Sequence, residues 1–247
     1  MKKILIAMLA CGAILAGTTA CGDTDMTSSV VNSTADMTSS TVSEITNTEY
    51  AKPENIATAD DAQNALQIGN KAFQDGKLSI TTTETDRTNL SENGQKPYAT
   101  VITCSDSRVP PELIFNSSLG EIFTVRTAGN VVADFETGSV EYGVDHLGTP
   151  LVVVMGHTKC GAVAGAIEGH AEGHVEDIIK DISPSVEKAK QNAKSNGQIA
   201  TLSETYNVQN SIENLRKSEI LSKAEQDGKI KIVGALYDIT TGEVRFL

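Results

Sequence analysis

The sequence lacks tryptophan and is poor in other aromatic residues, with five tyrosines and five phenylalanines among 247 residues. A folded core must therefore be built mainly from aliphatic side chains. The sequence also lacks an excess of basic residues, since its formal net charge is -12. Proteins that bind nucleic acid present basic surfaces, so this composition argues against nucleic acid as a partner. It suits a well-solvated surface and small or neutral substrates.

Long hydrophobic runs are also missing. The apolar run at residues 4–16 follows Lys2 and Lys3 and is too short for a stable membrane span. Together with the small residues before Cys21, it is typical of an export signal over residues 1–20. The stretch resembles a bacterial lipoprotein signal, although Thr18 replaces the usual aliphatic residue. We expect an exported chain, lipid-anchored through Cys21 at the outer face of a bacterial membrane, in the periplasm or at the cell surface. Plain secretion and an uncleaved anchor are the alternatives.

The rest of the chain divides into a tether and one domain. Residues 21–57 are rich in Ser and Thr, and Asp-Met-Thr-Ser-Ser occurs at both 25–29 and 36–40. Such a stretch has too few apolar residues to form a core, so we predict a disordered tether. A folded domain is predicted over residues 58–247.

Strand-like and helix-like patterns alternate along this domain. The alternation predicts an α/β fold, a single domain with a mostly parallel β-sheet flanked by helices. Strands are predicted at 98–103, 121–127, 151–155, 229–236 and, at an edge, 243–247. Helices are predicted at 58–73, 110–115, 135–147, from 161, at 175–193 with an interruption at Pro184, and at 202–223.

Only two cysteines, Cys104 and Cys160, fall inside the predicted domain. Outside the cytoplasm, such a pair first suggests a disulfide, and this alternative stays open. Cys104 follows one predicted buried strand, however, and His157 and Cys160 follow another. The carboxyl ends of parallel strands meet at one edge of a sheet, where ligands bind. Two thiols and one imidazole supply three ligands of a tetrahedral Zn2+, and a fourth position left to water is typical of catalytic zinc.

Two charged residues follow the first cysteine on the same turn. The Asp106 carboxylate can accept a proton from the zinc-bound nucleophile and orient its lone pair. Arg108 can hold that carboxylate through two parallel hydrogen bonds and keep it ionised. Alternatively, Asp106 is itself the fourth ligand, which closes the site until Arg108 recaptures the carboxylate.

With these motifs in place, the chain resembles bacterial β-class carbonic anhydrases from about residue 62 to its end. The resemblance implies one Zn2+ per subunit on Cys104, His157 and Cys160, with Asp106 and Arg108 as a catalytic dyad. It also implies carbon dioxide and bicarbonate as reactants, a homodimer or dimer of dimers, and an N-terminal helix lying on the other subunit. The matching segments are 69–73, 95–97, 104–112, 126–130, 156–161 and 234–237.

Two alternatives to this function remain. The same fold and metal could serve hydrolysis of carbonyl sulfide or carbon disulfide. The chain could also be a non-catalytic surface protein with a structural zinc, in which Asp106 closes the coordination shell.

Regulation by bicarbonate is not expected. Some members of the family close their site when bicarbonate binds a pocket that includes a tryptophan. Val101 stands at that position here and Thr103 replaces a common glycine, whereas Arg126 and Tyr237 match the other pocket residues. We therefore predict an open site.

A second histidine-rich segment, around His170 and His174, could transfer protons or hold a second metal if it were helical. Gly169 and Gly173 favour a solvated loop instead.

Overall fold

Five strands form one sheet in the order β2-β1-β3-β4-β5. The first four pair in parallel, and the last is an antiparallel edge strand. The α/β fold with a mostly parallel sheet is therefore confirmed, as is the edge strand at the end of the chain. The strands are β1 (Ala99–Cys104), β2 (Ile122–Thr127), β3 (Leu151–His157), β4 (Lys231–Tyr237) and β5 (Val244–Phe246).

The computed structural model describes residues 48–247. The predicted signal, Cys21 and most of the predicted tether lie outside the described residues. The tether's last residues are described, and they contact the domain: Lys52 Nζ lies 2.6 Å from Glu121 Oε2, and Ile56 packs against the core. Contacts with the domain thus begin before the predicted boundary at residue 58, and they include a hydrogen bond from the Tyr50 hydroxyl to Asp75 at 2.8 Å.

Eight α-helices flank the sheet in this part of the chain, and none of them is long and apolar enough to span a membrane. The fourth continues as a π-helical turn, Tyr142–His146. The helices are α1 (Ala59–Gln74), α2 (Glu84–Asn93), α3 (Pro111–Ile114), α4 (Asp134–Glu141), α5 (Gly161–Glu168), α6 (Val175–Asn192), α7 (Ile199–Leu215) and α8 (Glu219–Gln226).

Two helix predictions are wrong. Pro184 does not interrupt α6, whose buried Ile182 and Val186 hold the helix on both sides of the proline. The single helix predicted at 202–223 is two helices, α7 and α8. The break occurs because the Ser218 hydroxyl caps α8, accepting from the Leu221 N–H at 3.2 Å.

The strands β1 and β3 are buried along their whole length. Their alternate residues pack on opposite faces of the sheet. Val101 and Val153 share a core with α1, whereas Ile102 and Val154 share one with α7 and α8. Both strands run further than predicted, so Cys104 and His157 are their last residues rather than the residues just beyond them.

The first helix packs on its own chain. Thr58 caps α1 in a reciprocal capping box with Asp61. Leu66 is fully buried against the sheet, and the Asn70 amide donates to the carbonyls of Ile114 and Gly242. The buried face of α1 is thus covered within the chain, and the implied contact of an N-terminal helix with another subunit stays a prediction.

Candidate metal centre

The structure brings Cys104, His157 and Cys160 together at the carboxyl edge of the sheet. Cys104 ends β1, His157 ends β3, and Cys160 immediately precedes α5. Their ligand atoms all lie within 4.8 Å of one another, and all three residues are buried. Both thiols are free. The three side chains could together hold a metal ion, and no disulfide joins the two cysteines in the described part of the chain.

The imidazole of His157 is oriented for metal binding. Its Nδ1 lies 3.0 Å from the Thr158 carbonyl oxygen, to which an Nδ1–H donates. This tautomer leaves a lone pair on Nε2, which is buried without a hydrogen-bond partner in the described residues. A buried polar atom left unpaired costs roughly 1–3 kcal/mol, and coordination to a metal removes that cost. The orphaned nitrogen and the two thiols together fit Zn2+.

The two thiols are linked to each other and to the backbone. Hydrogen bonding between them lowers the pKa of Cys104 and raises that of Cys160, since one sulfur keeps the proton that the other gives up. The Gly129 N–H also donates to the Cys104 sulfur at 3.2 Å. In the metal-free site, one of the two sulfurs therefore carries negative charge readily while the other keeps its proton.

The predicted dyad lies beside these ligands. Arg108 donates from Nε and Nη2 to the two oxygens of Asp106, at 3.0 and 2.7 Å, and its backbone N–H donates to the same carboxylate at 2.9 Å. These hydrogen bonds hold the pKa of Asp106 well below its usual range. Asp106 Oδ2 is 4.0 Å from His157 Nε2. The carboxylate thus faces the metal centre while it is paired with Arg108.

The four residues compared above with a bicarbonate pocket are buried or make hydrogen bonds within the chain. Arg126 donates to the carbonyls of Cys104 and Asp106, at 3.1 and 2.7 Å, and so ties down the turn that carries the dyad. Val101 and Tyr237 are buried in the core, and the Thr103 hydroxyl donates to the Met155 carbonyl at 2.9 Å.

The histidines at 170 and 174 lie apart from this centre. Residues 169–174 between α5 and α6 are largely exposed, and His174 projects fully into solvent. In the described part of the chain, the Cys104, His157 and Cys160 cluster is the only group of three or more ligand side chains. The segment is thus a solvated loop, as Gly169 and Gly173 favour.

Three residues around the centre were not found from the sequence. Gly129 donates to the Cys104 sulfur, Asn207 Nδ2 donates to the Gly129 carbonyl at 2.7 Å, and the Glu204 carboxylate accepts from the Cys160 N–H at 3.3 Å. The last two could have been suspected from the sequence, because polar residues recur at helical spacing on one side of α7, among them Glu204 and Asn207.

Fold and site together define an α/β protein with a Cys/His/Cys metal centre at the edge of a parallel sheet. Residues 99–244 match the family model described as carbonic anhydrase, which is more than half of the chain. The chain therefore belongs to the carbonic anhydrase family, and its structural neighbours are β-carbonic anhydrases.

Individual relatives agree with this assignment. Carbonic anhydrase 2 of Mycobacterium tuberculosis is 45% identical over 102 residues, 41% of this chain and 49% of that protein. The chain thus spans about half the length of the first curated relatives that it matches. A Coccomyxa β-carbonic anhydrase, solved with acetazolamide, matches at 31% identity with a TM-score of 0.60, covering 66% of this chain and 78% of that one. A tetrameric β-carbonic anhydrase of Sordaria macrospora matches at 26% identity with a TM-score of 0.59, covering 75% and 93%.

Proposed function

We propose that the protein is a zinc enzyme that catalyses the reversible hydration of carbon dioxide to bicarbonate and a proton. One observation carries the proposal. Two thiols and an unpartnered imidazole nitrogen converge beside a carboxylate that an arginine holds ionised, 4.0 Å from that nitrogen. Membership of the carbonic anhydrase family supports the choice of substrate.

The residues that would hold one Zn2+ per subunit are Cys104, His157 and Cys160. When bound, zinc would lower the pKa of a coordinated water from about 15.7 towards about 7. The protein's own contribution is to keep His157 in the tautomer with a free Nε2 and to bury the thiols. Burial limits the access of bulk water to the donor atoms.

Asp106 would position the attacking water. As an ionised carboxylate it accepts a hydrogen bond from that water and directs the oxygen lone pair at the carbon of carbon dioxide. Arg108 keeps the carboxylate ionised and holds it on its own turn. Arg108 Nη2 also lies 3.3 Å from the Lys159 carbonyl, so it links this turn to the one that carries the other two ligands.

We further propose that this paired geometry is the working, open form of the site. Because the Asp106 carboxylate is hydrogen-bonded to Arg108, it is not available to coordinate the metal as a fourth ligand. Val101 supplies no hydrogen-bond donor where the family's gating pocket has tryptophan, and Arg126 is engaged with the turn carbonyls. Bicarbonate gating is therefore not expected.

The decisive test combines metal content with stopped-flow hydration of carbon dioxide. The wild type should hold one zinc per chain and hydrate carbon dioxide, whereas Asp106→Asn should hold zinc and be much slower. A zinc-loaded wild type without hydration at any pH contradicts the proposal and favours a non-catalytic surface zinc protein. Faster turnover of carbonyl sulfide or carbon disulfide in a parallel assay favours the hydrolase alternative.

We propose a homodimer or a dimer of dimers as the assembly, supported by the tetrameric Sordaria macrospora relative. Sedimentation equilibrium tests this assembly, and a monomer at micromolar concentration contradicts it.

We also propose export and lipid anchoring through Cys21, supported by the pattern of residues 1–20. Fractionation of cells that express the whole chain should place the protein with membranes. Cys21→Ser should release it, and equal membrane association of both forms contradicts the anchor.

A further inference from the structure

One face of α7 is polar although it is buried. Glu204, Asn207 and Ser211 are three and four residues apart and so share one side of the helix. They are 5%, 0% and 0% exposed. Burying polar side chains costs stability unless they are hydrogen-bonded, so their partners indicate their use.

Asn207 and Ser211 bind the backbone beside the first cysteine. Asn207 Nδ2 donates to the Gly129 carbonyl at 2.7 Å, and the Ser211 hydroxyl donates to the Asn130 carbonyl at 2.9 Å. Gly129 and Asn130 have φ angles of 67° and 48°, a left-handed pair that asparagine and glycine adopt most readily. A side chain at Gly129 would also meet Ile182, 2.7 Å from an added Cβ. This fixed backbone aims the Gly129 N–H at the Cys104 sulfur, 3.2 Å away.

Glu204 binds the backbone of the second cysteine. Its Oε1 accepts from the Cys160 N–H at 3.3 Å, next to Lys159, whose φ of 58° is again left-handed. No ion pair in the described part of the chain involves Glu204. Burial raises the pKa of this carboxyl, which makes it a costly residue to keep in the interior.

We propose that Glu204 and Asn207 are positioning residues of the metal centre. A single helix face holds both the turn whose Gly129 N–H contacts the Cys104 sulfur and the backbone of Cys160, and it thereby sets how firmly the centre retains zinc. This inference rests on the proposed function, since it assumes the same zinc site. Loss of an outer partner of a metal ligand typically costs 10- to 100-fold in metal affinity.

The test measures zinc release rather than activity. The zinc-loaded full-length protein is mixed with an excess of a chromogenic chelator, and the rate of zinc transfer is followed. Glu204→Leu and Asn207→Leu should release zinc roughly 10- to 100-fold faster than the wild type. Glu204→Gln keeps an oxygen that can accept the Cys160 N–H, so it should release zinc at close to the wild-type rate. Should Asn207→Leu not fold, Asn207→Asp decides, because it keeps the shape and loses the donor.

Two residues of the same helix serve as matched controls. Ser203 is fully buried and its hydroxyl makes no hydrogen bond in the described part of the chain, so Ser203→Ala should leave zinc release unchanged. Asn210 donates to the Asp181 carbonyl at 3.1 Å and does not contact the metal centre. Asn210→Ala should therefore lower thermal stability without accelerating zinc release.

Substitution of cobalt for zinc gives an independent reading of geometry. The thiolate-to-cobalt and d–d absorption bands should shift in Glu204→Leu and Asn207→Leu and stay fixed in both controls. Wild-type release rates in those two variants, or rates that rise only in proportion to lost thermal stability, overturn the inference. A wild type that retains zinc firmly but hydrates no carbon dioxide contradicts the proposed function alone, because release is measured without reference to turnover.

Discussion

The two turns that carry the metal ligands are held in place by different forces. The first turn is held by charged side chains. Arg108 donates two hydrogen bonds to the Asp106 carboxylate, and Arg126 donates to two backbone carbonyls of the turn. The second turn is held by backbone and buried polar groups. The Thr158 N–H donates to the Tyr237 carbonyl at 2.9 Å, and the Glu204 carboxylate accepts from the Cys160 N–H at 3.3 Å. The side chain of Arg108 is 53% exposed, whereas that of His157 is fully buried.

This difference separates catalysis from metal binding. Exposed charged contacts weaken as the salt concentration rises, whereas buried contacts are screened much less. In the proposed mechanism, the reacting carboxylate lies on the turn that charges hold, and two of the three proposed ligands lie on or beside the turn that buried groups hold. Disturbing the first turn should therefore change turnover with zinc in place, and disturbing the second should change zinc retention first.

The largest effect is expected from removing a ligand on the buried turn. Cys160→Ala leaves two ligands, so zinc should fall far below one per chain. Loss of the activated water costs several kcal/mol, on the order of a 10³-fold or greater drop in kcat/KM. Metal analysis measures the zinc content, and stopped-flow hydration measures kcat/KM. His157→Ala should show the same losses of zinc and of kcat/KM. Full zinc occupancy in either variant would show that the ligand set is wrong.

The next largest effect is expected from the carboxylate of the charged turn. Asp106→Asn removes the charge that accepts a hydrogen bond from the attacking water, so kcat should fall by about 100-fold. Zinc content should not change, because Asp106 is paired with Arg108 and not with the metal. Zinc content that falls together with kcat would instead make Asp106 a ligand and close the site.

The cluster of Cys104, His157 and Cys160 could be predicted from the sequence because two of these residues end strands and the third follows three residues later. The β-branched runs before Cys104 and His157 fix two parallel strands, and parallel strand ends share an edge. The supporting contacts could not be predicted in the same way. Asn207 is 78 positions from Gly129 and Glu204 is 44 from Cys160, so the helix packing that joins them is set by the whole core. Helical spacing reveals a polar face on α7, but it does not reveal which carbonyl that face meets.

A smaller effect is expected from the second arginine of the charged turn. Arg126→Leu frees the carbonyls of Cys104 and Asp106, so the dyad should be less well positioned and kcat should fall by about tenfold. Zinc release should stay close to the wild-type rate. The side chain of Arg245 on β5 is exposed and makes no hydrogen bond in the described part of the chain, so Arg245→Leu is the matched control. An equal loss of turnover in the control would remove Arg126 from the positioning of the turn.

The smallest effects are in the pH dependence of stability of the metal-free protein, where the two turns should differ in sign. Arg108 lowers the pKa of Asp106 below the ordinary value of about 3.9. A carboxyl whose pKa is lowered on folding stabilises the folded state at pH values above its ordinary pKa. This stabilisation is lost as the pH falls through the pKa of the folded state. The wild type should therefore unfold at a higher temperature than Arg108→Leu at pH 7, and this difference should shrink below about pH 4.

The buried turn should behave in the opposite way. Burial raises the pKa of Glu204 above its ordinary value of about 4.3, so the folded state holds this proton more tightly than the unfolded state does. Relative to Glu204→Gln, the wild type should lose stability as pH rises above about 4.3. Thermal unfolding of both proteins between pH 3 and pH 8 measures the slope. The quantity to compare is the difference in unfolding temperature between wild type and variant as a function of pH, for Arg108→Leu and for Glu204→Gln. Slopes of opposite sign would establish that charge stabilises the first turn and destabilises the second. Slopes of equal sign would contradict this difference between the turns.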